Sequence, residues 1–446
     1  MTTSMGCQKS TLLATVVALA VLTTVNAGGA QVVGPVGTEF QVNTYTTSYQ
    51  AVPAICTAAD GSFVVVWDGA STNESEIFAQ RYSSNGFPAG TEFQVNTYTP
   101  GDEQNPAICC DAGGSFVVVW AQFNNQDGDK PGVFGQRFAS DGAFVGSEFQ
   151  INTYTTDDQE RPAVCCDATG NFVVAWQSYR QDGNRNGVFG QRFASNGAPR
   201  GTEFQVNSYT PGDQQDPAIC CSADGDFVIA WSSYGEDGDK PGVFAQRFAS
   251  NGAFRGNEFQ VNTYTPSYQT NPAICCSADG NFVVAWQSFG QVGYAYQVFG
   301  QRFTSAGAPR GSEFQVPTAN DRNDADPALC CSADGDFVVT WTRFRDFTDD
   351  IFVRRFADSG LPFDGEQRVN FFTPSYQELS AVACGEDGKF VVVWQSEGQD
   401  GSDFGVFGLR FALFPVAASP ALSWLGLGAV IVGLLGAGVR QLRRRH

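Results

Sequence analysis

The chain has 446 residues, of which 46 are Asp or Glu and 26 are Lys or Arg, giving a formal charge of -20 at neutral pH. A surface this acidic repels nucleic-acid phosphates and anionic lipid headgroups, so nucleic acid is set aside as a partner. The one histidine is the terminal residue, His446, which excludes a Ser-His-Asp triad and histidine-metal chemistry.

Residues 1–27 place Lys9 ahead of an apolar stretch from Leu12 to Leu22 and end on Val25, Asn26 and Ala27, a small-residue cleavage site. This is the pattern of a secretory signal peptide, so an extracytoplasmic protein is expected, in a compartment where disulfides form.

From residue 37 to 412 one unit recurs. Trp67, Trp120, Trp176, Trp231, Trp286, Trp341 and Trp394 are separated by 53, 56, 55, 55, 55 and 53 residues. Glu39, Glu92, Glu148, Glu203, Glu258, Glu313 and Glu366 keep the same intervals. Such a period marks one supersecondary element stacked on copies of itself. Each unit holds four short runs rich in Val, Ile, Phe or Trp; in the second they are 106–110, 115–120, 133–138 and 148–152, with Asp141 and Gly142 at a hairpin turn. Four antiparallel strands repeated seven times predict an all-β fold, a seven-bladed β-propeller.

Side-chain size orders the strands. Blades converge on an axis, so the smallest run, Pro-Ala-Ile-Cys-Cys, is innermost (A), followed by Phe-Val-Val-Ala-Trp (B), Val-Phe-Gly-Gln-Arg-Phe (C) and the outer Glu-Phe-Gln-Val-Asn (D). The repeats open on a D run, 39–43, and close on a C run, 406–411. The N-terminal run is therefore expected to supply the outer strand of the seventh blade and to close the ring.

Units two to six carry adjacent cysteines, whereas the first has only Cys56 and the last only Cys384. Neighbouring strand residues face opposite ways, so each pair presents one thiol to either adjacent blade. If the first cysteine of a blade bonds the second of the next, the pairs are Cys56–Cys110, Cys109–Cys166, Cys165–Cys221, Cys220–Cys276, Cys275–Cys331 and Cys330–Cys384. None is left over. The opposite rule strands Cys109 and Cys331. Buried free thiols packing as small hydrophobes are the alternative; zinc fits poorly on opposite strand faces without histidine.

An Arg recurs in strand C: Arg81, Arg137, Arg192, Arg247, Arg302, Arg355 and Arg410. Several could form a carboxylate clamp, but a repeated cross-strand ion pair with the Glu of strand D is the favoured reading. Ligand-binding candidates lie in the D-to-A and B-to-C loops, which share one face. The former carry Tyr45, Tyr98, Tyr154, Tyr209 and Tyr264 with acids such as Asp102; the latter carry Asp127, Asp129, Asp182, Asp237 and Asp239. Tyrosines beside carboxylates suit a glycan or protein ligand. The oxygen-rich turns suit calcium in chemistry, yet none has full calcium-loop spacing, so no cofactor or metal is assigned.

Residues 413–421 form a linker to an uncharged run, 422–439, long enough to span a bilayer, and a basic tail, 440–446, expected on the cytoplasmic side. Removing leader and tail takes away five basic residues and no acid, moving the charge from -20 to -25. Pro420, Leu422, Ser423 and Trp424, the span and Arg440, Arg443, Arg444 and Arg445 together resemble bacterial sorting tails of the PEP-CTERM and IPTL-CTERM type, with Ala421 where Thr is usual. The resemblance implies recognition and removal by a membrane sorting enzyme; otherwise the span anchors the chain. The repeat itself, Asp279-Gly280-Asn281-Phe282-Val283-Val284-Ala285-Trp286 with Gly300-Gln301-Arg302-Phe303 and Gly256-Asn257-Glu258-Phe259, is similar to segments of large bacterial secreted and surface proteins. The expectation is an exported, surface-associated, non-catalytic binding or adhesion module, with a secreted carbohydrate-active enzyme using loop carboxylates as the rival.

Overall fold

The computed structural model describes residues 31–415 except 71–73, 125, 321, 346–347 and 386–387. The expected leader, membrane span and basic tail, and most of the linker, lie outside the described residues. Among the described residues no helix is long and apolar enough to cross a membrane.

Val33–Leu413 is a ring of seven four-stranded antiparallel sheets. In the second blade strands A to D are Glu103–Cys110, Phe116–Gln122, Gly132–Phe138 and Phe144–Gln150. The seventh blade takes its A, B and C strands from Gln377–Cys384, Phe390–Glu397 and Phe404–Pro415, and its outer strand from the N-terminal Gln31–Gln41. The expected closure therefore holds.

Seven apolar clusters lie between adjacent blades, one of them joining the seventh to the first through Val42, Trp67, Tyr82 and Val393. All seven repeat tryptophans are fully buried. In every blade the strand-B Phe stacks on the strand-C aromatic at 4.6 to 4.9 Å. The outer-strand Phe of the preceding blade leans against that stack, as Phe93 does on Phe138 at 5.6 Å. Three rings at six of the joints explain why the repeat is so rich in phenylalanine; at the sixth–seventh joint Gln367 stands in place of the outer-strand Phe.

The six disulfides form in the expected pairing, with Cα–Cα separations of 5.4 to 5.7 Å. At the seventh joint the Thr57 hydroxyl donates to the Cys384 carbonyl at 2.7 Å instead.

Two expectations need correction. The outer strand is shorter than the sequence run, pairing only at Phe93–Gln94 in the first blade and at equivalent dipeptides in most others. In six of the seven runs the closing Asn accepts an N–H of strand C through its Oδ1 at 2.7 to 3.0 Å, replacing a ladder rung by a side chain, and in the fifth Pro317 ends the run. Secondly, the strand-C arginines do not pair with the strand-D glutamates. Arg81, Arg137, Arg192 and Arg247 donate to a C-to-D hairpin carbonyl of the next blade at 2.9 to 3.0 Å. Glu92, Glu148, Glu203, Glu258, Glu313 and Glu366 accept a backbone N–H just beyond the outer strand of the preceding blade at 2.5 to 2.9 Å. Both groups are clasps between blades rather than partners within one.

Candidate functional site

Strand A positions the site. In each blade its pairing with strand B is interrupted at one dipeptide, between Gln104 and Ala107 in the second blade. The first residue of that dipeptide is left-handed in all seven blades: Val52, Asn105, Arg161, Asp216, Asn271, Asp326 and Leu379, with φ from 49° to 55°. In six blades proline follows. A left-handed residue that is not glycine costs about 1 to 2 kcal/mol, and glycine would avoid the strain. The side chains are nonetheless present, and they and the prolines line a cavity of about 360 Å³ on the propeller axis.

This ring is not uniform. Blades two to six contribute Asn105, Arg161, Asp216, Asn271 and Asp326, whereas Leu379 and Val52 flank the seam. Arg161 pairs with Asp216, and Asn271 Nδ2 donates to Asp326 Oδ1 at 3.1 Å. Burial pushes the Asp326 carboxyl above the usual range, an effect the Asn271 bond opposes. The residue after each repeat tryptophan supports the ring from behind, but only in every second blade. Gln177, Gln287 and Gln395 accept the bulge N–H of Asp216, Asp326 and Val52 at 3.1 to 3.3 Å. Asp68 does the same for Asn105, and burial pushes its carboxyl up to about 7.

Strand A starts at the D-to-A loops, so the ring opens on the loop face. Beside it, in blades four and five, Tyr234, Tyr268 and Tyr294 are exposed. The Tyr234 hydroxyl is held above its ordinary value by burial and then by Asp216 and Asp213. Asp213 is held by Arg185 at 3.1 Å, and the Lys240 ammonium lies 5.8 Å from the Tyr268 ring centre. On the other side of the axis burial first and the neighbouring Asp349 second push the Glu378 carboxyl up to about 7, and burial raises that of Asp349 as well.

The loop residues expected to bind are nearby but engaged. Tyr98, Tyr154, Tyr209 and Tyr264 are half-buried, and each offers its carbonyl to the Asn that ends the outer strand at 2.8 to 2.9 Å. Tyr209 and Tyr264 also donate their hydroxyls to the Gly235 and Gly290 carbonyls at 3.3 and 3.1 Å. Asp127, Asp182 and Asp237 each accept the N–H two residues ahead, in turns that brace themselves. Asp129 and Asp239 accept the N–H of Asp157 and Ser267 in the next loop, and Asp102 accepts that of Ser75. Among the described residues no group of three acidic, His or Cys side chains is arranged to hold a metal ion.

The axial ring and the Tyr234 sector were missed at the sequence level. The available signal was one position, just before the proline of each A run, that varies freely inside an otherwise constant frame.

No family model and no curated protein matches the chain. Among solved structures it is similar to a protein of unknown function from Dyadobacter fermentans, at 10% identity over 86% of this chain and 99% of that one, TM-score 0.53. It is also similar to an ulvan lyase of a new polysaccharide lyase family bound to -[GlcA(1-4)Rha3S]-, at 11% identity over 85% and 96%, TM-score 0.53. A third is the polysaccharide lyase Uly1, at 10% identity over 85% and 99%, TM-score 0.54. At such identities the likeness shows a shared propeller fold and nothing finer.

Proposed function

We propose that this is an exported propeller that binds a glycan, without turning it over, at the axial mouth of the loop face, and is held at the cell surface by its C-terminal segment. The observation that carries the reading is the sevenfold strained bulge, which aims one side chain per blade into a common cavity. A polar arc of amides and carboxylates facing Leu379 and Val52, with exposed tyrosines beside it, offers hydrogen bonds to hydroxyls and flat faces for sugar rings. Six disulfides support an oxidising, extracytoplasmic compartment. The acidic surface favours a neutral glycan over a uronate.

A carbohydrate-active enzyme is the second reading, favoured by the fold shared with polysaccharide lyases. The chemistry of the mouth argues against elimination. That reaction needs a base that deprotonates readily and a free cation to neutralise the substrate carboxylate. Tyr234 is pushed away from ionisation, and Arg161 is taken by Asp216. Glycan-array binding combined with chain-length analysis of the retained oligosaccharide separates the two. Retention of intact neutral oligosaccharide, weakened at least about tenfold by Asn271→Ala with Asp326→Ala, is expected. Shortened product would establish turnover and end the binding-only reading.

A further inference from the structure

The face opposite the axial mouth carries exposed apolar side chains, some of which rest one side on the fold: Phe144 on Phe138, Phe254 on Phe248 and Phe363 under Arg355. The C-to-D hairpins expose Phe87, Leu361 and Phe254 at 71%, 69% and 61%, and Phe144 and Phe363 at about half. They come from blades one, two, four and six, so they are spread around the rim rather than gathered on one side. Blades three and five place Arg200 and Arg310 at the corresponding hairpins, and Arg255 follows Phe254. Arg81, Arg137, Arg192 and Arg247 reach this same face to clasp hairpin carbonyls. Aromatic and guanidinium groups in alternation suit the headgroup boundary of a bilayer. Aspartates lie on this face too, in A-to-B turns such as Asp60, Asp224 and Asp334, and Asp358 and Asp226 pair with Arg310 and Arg255, so the guanidinium and carboxylate charges there are balanced.

The course of the chain says what this rim meets. Strand C of the seventh blade runs toward the hairpin face and, where other C strands turn back, continues to Pro415. Pro415 and Leu422, the first residue of the apolar run, are seven positions apart. Seven extended residues reach at most about 25 Å. The apolar run therefore starts within that reach of the point where strand C leaves the hairpin side.

We infer that the C-to-D hairpin face is a lipid-facing surface, on which Phe87, Phe144, Phe254, Leu361 and Phe363 enter the interfacial region of the membrane spanned by residues 422–439. The inference rests on the reading of that run as a span, and it adds a second, peripheral attachment that fixes the orientation of the disc. The axial mouth then points away from the membrane, toward ligand.

The test uses the full chain in phosphatidylcholine vesicles, in a Trp424→Phe background so that the tail does not report. Phe87→Trp, Phe254→Trp and, on the loop face, Tyr294→Trp are each compared in vesicles with plain and brominated acyl chains. Loss of emission at 87 and 254 but not at 294, only with brominated lipid, is expected. Vesicle-bound protein whose 87 and 254 probes stay bright overturns the docking while leaving the span intact. Probes at those positions shielded from aqueous iodide yet bright in brominated vesicles show a second copy on that face, which also overturns it. Quenching at 294 reverses the orientation and overturns it, and a chain that does not fractionate with vesicles sinks span and docking together.

Discussion

Six joints of the ring are bridged by disulfide and the seventh is not, although the seventh keeps the other contacts that link blades. The seam keeps the hairpin clasp, from Arg410 to the Ser84 and Asn85 carbonyls. It keeps the glutamate clasp, from the Thr44 N–H to Glu92 at 2.5 Å. It keeps the support behind the bulge, from Gln395 to the Val52 N–H. Only the sulfur is missing, replaced by the Thr57 hydroxyl on the Cys384 carbonyl. The bridges therefore join blades that the chain already makes neighbours, at separations of 54 to 57 residues. The contact between the two ends of the chain is left to packing and hydrogen bonds. The seam is where the ring opens, and the N-terminal strand is what holds it shut.

The strongest way to break this comparison is to delete residues 31–43. That removes the outer strand of the seventh blade, buried Val33 and Val42 and the Glu39 clasp. Loss of the single cooperative thermal transition is expected, a destabilisation of more than about 5 kcal/mol; a sharp transition near the parent temperature would show that the seam holds without its strand. Next comes an interior joint. Cys275→Ser with Cys331→Ser opens a loop of 56 residues and is expected to cost about 4 kcal/mol in denaturant titration. A cost below about 1 kcal/mol would mean that packing alone secures the bridged joints too.

The comparison sharpens if the seam is given what it lacks. The position facing Thr57 by the rule of the other joints is Ala383, so Thr57→Cys with Ala383→Cys is expected to form a seventh bridge and raise stability by about 2 kcal/mol. Thiol titration under denaturation reads bridge formation directly, and two free thiols per chain would show that the seam does not share the geometry of the bridged joints.

A smaller effect concerns Asp68, whose carboxyl is raised to about 7 by burial. Between the ordinary carboxylate range and pH 7 the folded protein keeps a proton that the unfolded chain has lost. Stability from this group is thus present in acid and falls as pH rises through about 7. Asp68→Asn keeps an oxygen for the Asn105 N–H and is expected to add about 1 to 2 kcal/mol at pH 8 and almost nothing at pH 4. Equal effects at both pH values would show that the side chain is solvated. The smallest change is expected at the axial mouth: Arg161, itself exposed, pairs with Asp216, and Arg161→Ala should move stability by less than about 1 kcal/mol. A larger loss would make the pair a structural strut rather than part of a ligand surface.

Much of this fold could be read from the chain because repetition supplies its own control. Cys56 and Cys384 lack the partners that the other copies have, and given the blades set by the repeat period, that pair of absences pointed to the direction of bridging. The Trp and Phe positions were legible as core because burial demands the same residue in each copy. Arg81 and Glu92 were misread because recurrence says that a contact is repeated but not whether it lies within a blade or between two. The bulge at Asn105 was invisible for a different reason: a residue before proline is ordinarily extended, and nothing local signals a left-handed turn there. The candidate site was least legible. Its ring side chains are the ones that depart from the repeat, such as Arg161 and Asp326, and departures carry no period.

One consequence follows from the braces behind the bulges. They occur in blades one, three, five and seven, a pattern of period two laid on a circle with an odd number of places. Such a pattern cannot close on itself, so two braced blades, carrying Gln395 and Asp68, must stand side by side. That parity defect coincides with the seam and gives an otherwise rotary structure a zero mark. A molecule arriving along the axis meets a dial with a fixed twelve o'clock, and can be held in one azimuth instead of seven.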